Sequence, residues 1–88
     1  MLQYMLAMEF DSEQNPESSE PIYRKLMGGS PPHVDSYFRL AQQKVRQDEI
    51  ETARGLLRDG IEQARQQGEA HTAAEMSELL QSLGALGE

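Results

Sequence analysis

Ile50, Ala53, Leu57, Ile61 and Ala64 stand at i, i+3, i+7, i+11 and i+14, so one face of a helix carries all five. The same spacing returns along the chain. Leu2, Leu6 and Phe10 form one stripe; Val34, Tyr37, Leu40, Ala41 and Val45 form another; Ala73, Met76, Leu80 and Leu83 form a third. No stretch alternates apolar with polar residues in the two-residue rhythm of a half-buried strand. A chain with this pattern is all-α, and five helical segments are expected.

Proline and glycine punctuate them. A first helix is expected over residues 1–11, with Met1, Tyr4, Met5 and Met8 adding a second apolar stripe. A helix apolar on two faces is usually covered on two sides. Asn15-Pro16 has the form of an N-cap followed by proline in the first turn. Pro21 would then interrupt the second turn, so either a later start capped by Ser18 or Ser19 or a distorted first turn is favoured, with Gly28-Gly29 as the stop. Ser30 is the expected cap of the third helix, ahead of Pro31 and Pro32. Asp48 with Glu51 three residues on reads as a capping box for the fourth, which Gly68 closes. The fifth is expected over about 70–84.

Eighty-eight residues support one domain with a modest core. The absence of cysteine removes disulfides, thiolate metal sites and cysteine nucleophiles. Eight basic residues against fifteen acidic ones give a net charge of −7, and the basic ones are interleaved with Asp and Glu. Phosphate backbones and anionic membranes select a concentrated positive face, so neither nucleic acid nor a membrane is an expected partner. No run approaches the roughly 20 apolar residues of a membrane span. The apolar start lacks a positive n-region and stops at Glu9, which argues against a signal peptide and for a cytoplasmic protein.

No catalytic, cofactor or metal constellation emerges, and no enzyme is expected. His71 and Glu75, at i and i+4, offer two ligands with no third. The Asp11–Asn15 run resembles the opening of a calcium loop but has Pro16 where glycine is required and Ile22 at the bidentate position. Gly28-Gly29-Ser30 has neither the lysine nor the preceding strand of a phosphate loop. The carboxylate pairs Glu49/Glu51 and Glu75/Glu78 lie on polar faces, with nothing to desolvate them.

Shifted by 34 residues, the chain overlays itself: Leu6 on Leu40, Ala7 on Ala41, Ser19 on Ala53, Tyr23 on Leu57 and Leu26 on Gly60. A helix–turn–helix period of this length is that of a tetratricopeptide array, and the chain resembles that family over nearly its whole length. Leu6-Ala7 and Leu40-Ala41 match the family's large-then-small pair. Ala53, Leu57 and Gly60 match its small–large–small pattern, and Pro31 its hairpin-ending proline. Lys44 departs from the aromatic that Phe10 supplies in the first hairpin. The second part of the chain resembles the last hairpin and closing helix of some small bacterial members. The implied fold is a right-handed stack of hairpins, about 1–29 and 32–67, closed by the helix at 70–84. Gly60 should allow a close approach by the fifth helix.

The resemblance implies a concave groove lined by the first helix of each hairpin. By register it would present Tyr4, Met8 and Asp11, then Phe38, Gln42, Val45 and Arg46, and His71 and Glu75 from the closing helix. The basic and asparagine residues by which some members clamp a terminal carboxylate are replaced by Tyr4, Met8, Phe38 and Gln42. An apolar groove for a peptide or amphipathic helix of another protein is the expectation. The alternative is structural: the two-faced first helix would serve a homodimer, or the chain would be part of a longer array.

Overall fold

The computed structural model describes residues 2–87, and side chains over 2–84. It contains α1 (Leu2–Ser12), α2 (Pro16–Met27), α3 (Val34–Arg46), α4 (Ile50–Gln66) and α5 (Ala70–Gly87), with no strand among the described residues. Each helix packs on the next, and α3 also touches α5. The thinnest dimension, 17 Å, is that of two helix layers.

Three of the four connections are the same turn. After α1, Asn15 N–H donates to Phe10 carbonyl and Gln14 N–H to Asp11 carbonyl. After α3, Glu49 reaches Lys44 and Asp48 reaches Val45; after α4, Glu69 reaches Ala64 and Gly68 reaches Arg65. Gln14, Asp48 and Gly68 have φ of 57°, 62° and 74°. This is the Schellman arrangement, which satisfies the last carbonyls of one helix. The residue after the left-handed one then opens the next helix: the carbonyls of Asn15, Glu49 and Glu69 accept from Ser19, Ala53 and Ala73. The first two turns lie 34 residues apart, as do the starts of α2 and α4 and the ends of α1 and α3.

These turns correct the expected caps. Asp48 is the left-handed residue of its turn, Glu49 stands at the N-cap, and Glu51 approaches Arg54 at 3.5 Å instead of closing a capping box. α2 starts at Pro16, not at Ser18 or Ser19, because the turn before it fixes Asn15 at the N-cap. Pro21 therefore lies inside α2, on its exposed side, where water can serve the carbonyl that proline leaves unbonded. Ser30 does not cap α3; His33 holds that position, with its ring 2.7 Å from Ser36 Oγ.

The core follows the 34-residue offset at three of its five pairs; at the others Leu6 is exposed where Leu40 is buried, and Leu26 is half-buried where Gly60 is buried. Ala7 and Ala41, Ser19 and Ala53, and Tyr23 and Leu57 are all fully buried. Gly60 sits where two helices converge on α4: a Cβ there would lie 2.6 Å from Tyr37 Cβ of α3 and 2.7 Å from Met76 Sδ of α5. Between α2 and α3 the contact is polar as well as apolar. Ser19 Oγ donates to Gln43 Oε1 at 2.8 Å, and Lys44 Nζ donates to Glu20 Oε1 at 2.8 Å and to Gln47 Oε1 at 3.3 Å. Lys44 buries its stem in the place where an aromatic was the family expectation.

The two mid-helix glycines of α4 should respond oppositely to alanine. Gly55 has nothing within 4 Å of an added Cβ, so Gly55→Ala should stabilise by about 0.5–1 kcal/mol. At Gly60 the overlap outweighs that gain, and Gly60→Ala should destabilise by about 1–2 kcal/mol. Urea denaturation midpoints check the pair; the same sign for both would contradict the packing at Gly60. The Lys44 hydrogen bond holds the Glu20 carboxyl below its ordinary value of 4.5, with Arg24 adding to the effect. A depressed folded pKa contributes stability that is complete above the unfolded value and lost as pH falls through the folded one. Glu20→Gln should therefore melt below wild type at neutral pH, and the gap should close below about pH 4.5. A gap that stays constant on acidification would contradict the ion pair.

Candidate functional site

α1, α3 and α5 present side chains to one common face. Asp35, Phe38, Arg39 and Gln42 follow one another on α3 at i, i+3, i+4 and i+7. With Tyr4 of α1 and Thr72 and Glu75 of α5 they surround a hollow of about 430 Å³. A second hollow, of about 280 Å³, is lined by Met8, Asp11, Ser12, Arg39 and Arg46. Arg39 belongs to both and joins them.

Tyr4 is held from three directions. Its ring lies 4.6 Å from that of His33 and 6.2 Å from that of Tyr23, centroid to centroid, tilted by 59° in both cases. Arg39 Nε donates to its hydroxyl at 3.3 Å, and this bond is the largest cause holding the guanidinium above its ordinary pKa. The terminal nitrogens of Arg39 make no ion pair among the described residues. Asp11 is committed within the fold: Arg46 donates to Oδ1, and Tyr23 Oη donates to Oδ2 at 3.4 Å. Burial and, next, the Asp11 charge push the Tyr23 phenol well above its ordinary range, so it remains a donor there.

Of the residues expected in a groove, Tyr4, Phe38, Gln42 and Glu75 come together around the larger hollow. Met8, Asp11 and Arg46 line the smaller one. His71 lines neither hollow; its side chain is 91% exposed, with Nε2 3.6 Å from Glu75 Oε1. Val45 lines neither hollow and is half-buried against the core. The lining is also more charged than an apolar groove: Asp35 and Arg39 stand beside the aromatics. Register from the repeat placed Phe38, Gln42, Val45 and Arg46 of α3 on the groove, whereas the α3 residues that line the hollows are Asp35, Phe38, Arg39, Gln42 and Arg46. The i, i+4, i+7, i+11 series of Asp35, Arg39, Gln42 and Arg46 is the signal that would have found Arg39.

The face carries two aromatic surfaces, the Arg39 guanidinium, and amide and carboxylate groups around an open hollow. Comparison of the chain with family models, with curated proteins and with solved structures gives no match.

Proposed function

We propose that this chain is a tetratricopeptide-like, right-handed stack of helical hairpins that acts as a protein–protein interaction module. A peptide or amphipathic helix of a partner protein lies across the face of α1, α3 and α5. It packs on Tyr4 and Phe38, and it hydrogen-bonds Gln42 and the terminal nitrogens of Arg39. No step of covalent chemistry belongs to this reading.

What carries it is the convergence of Tyr4, Phe38, Arg39, Gln42 and Glu75 from three separate helices around one open hollow. The 34-residue recurrence of the turns and of the buried positions supports the repeat reading. Aromatic and arginine side chains at the centre of a partly dry patch are the usual carriers of interface energy. Mixed polarity suits the reading as well, since an interface rim is polar while its centre is apolar.

Selection of a random peptide library on the immobilised protein tests the proposal. Selected peptides should bind the wild type and lose at least about tenfold in affinity to Phe38→Glu, a loss characteristic of a central anchor. Arg39→Gln, which removes the guanidinium, should weaken the same peptides. Amide shifts on peptide titration should centre on Tyr4, Phe38, Gln42 and Glu75. Peptides that bind all three proteins equally would contradict the proposal.

A further inference from the structure

The outer side of α1 is a helix-docking face with no helix on it. Leu2, Met5 and Leu6, at i, i+3 and i+4, are 83%, 62% and 43% exposed. Their counterparts in the second hairpin show what such a face meets. Leu6 corresponds to Leu40 and Leu2 to Ser36, both fully buried, while Met5 corresponds to Arg39 at the edge of that face, beside the groove. On that side α3 receives α2, through the Ser19–Gln43 and Glu20–Lys44 contacts. On α1 the equivalent strip faces outward.

The strip is charged oppositely at its two ends. Glu9 and Glu13 continue it at i+7 and i+11 from Leu2, and both are exposed. Because α2 returns alongside α1, Lys25 lies near the other end, where it and Gln3 line one hollow. Among the described residues none of Glu9, Glu13 and Lys25 makes an ion pair. A face apolar in the middle, acidic at one end and basic at the other matches its own copy when that copy is turned end for end. A parallel arrangement would set carboxylate against carboxylate and lysine against lysine.

We propose that a second copy of this chain covers the strip. The two α1 helices run antiparallel about a two-fold axis near Met5, an isologous contact of the commonest oligomeric type. Met5 meets its equivalent on the axis, Leu2 of each copy packs against the partner's Leu6, and Glu9 of each copy faces the partner's Lys25. Tyr4 and Met8 point away from this side of α1, so the groove stays open in the dimer and the two surfaces act independently.

Sedimentation equilibrium of the full chain, from micromolar to millimolar concentration, tests this. The wild type should associate reversibly to a dimer and no further. Glu9→Lys and Lys25→Glu should each weaken association at least about tenfold, since each sets like charges face to face. Both positions are exposed, so the variants should fold, which circular dichroism checks. The double variant Glu9→Lys/Lys25→Glu exchanges the charges and should recover wild-type association. A wild type that stays monomeric throughout would overturn the proposal. So would a dimer unmoved by the single changes, or a double variant no stronger than either single one.

Discussion

The placement of α1 beside α3 depends on how α2 seats on α3, because α1 is carried by α2. That seam is closed by a fully buried Tyr23 and by two polar contacts, Ser19 to Gln43 and Glu20 to Lys44. Polar contacts of this kind discriminate between registers more sharply than apolar ones. A shift of one turn would leave Ser19 and Gln43 buried with neither bonded to the other, a cost of about 1–3 kcal/mol for each group. The apolar residues supply the bulk of the stability, at about 1.5–3 kcal/mol for a side chain such as Leu40 or Leu57. Apolar burial alone does not choose one sliding position over another. With α2 fixed, Tyr4 comes within reach of Arg39 and Asp11 within reach of Arg46, and the common face of α1, α3 and α5 follows.

Repetition of one turn then propagates the arrangement. Each Schellman turn ends a helix and starts its successor within three residues, so the angle between neighbouring helices is set locally. The hairpins differ where the sequence differs. α2 stops at Met27, ahead of Gly28-Gly29, whereas α4 runs to Gln66 because no proline or glycine pair interrupts it there. Gly60 falls in this longer helix, at the point where α3 and α5 both press on α4.

Helix number, order and approximate extent were legible because periodicity and Gly/Pro punctuation are local signals. The cap chemistry was not. Asp48 and Gln14 occupy left-handed turn positions that glycine marks openly only at Gly68, and an aspartate ahead of a helix reads more naturally as an N-cap. Pro21 misled in the same way: its effect depends on whether the carbonyl it leaves free reaches water, which only the packed structure decides. Lys44 looked like a departure from the repeat, since its partner Glu20 lies 24 residues earlier on another helix. On the candidate face, Tyr4, Phe38 and Gln42 could be placed by register; Arg39 shares that face at helical spacing with Asp35, Gln42 and Arg46, but its bond to Tyr4 is a tertiary contact with no local signature.

The central claim is that the two hairpins lie in register, so that α1, α3 and α5 share one face. Nuclear Overhauser contacts in solution test it most directly, in particular those from the Tyr4 ring to His33 and Arg39 and those from Met76 to Gly60 and Tyr37. A shared face predicts both sets together in one folded species. Contacts from Met76 to α4 with none from Tyr4 to α3 would leave the second hairpin intact and contradict the shared face.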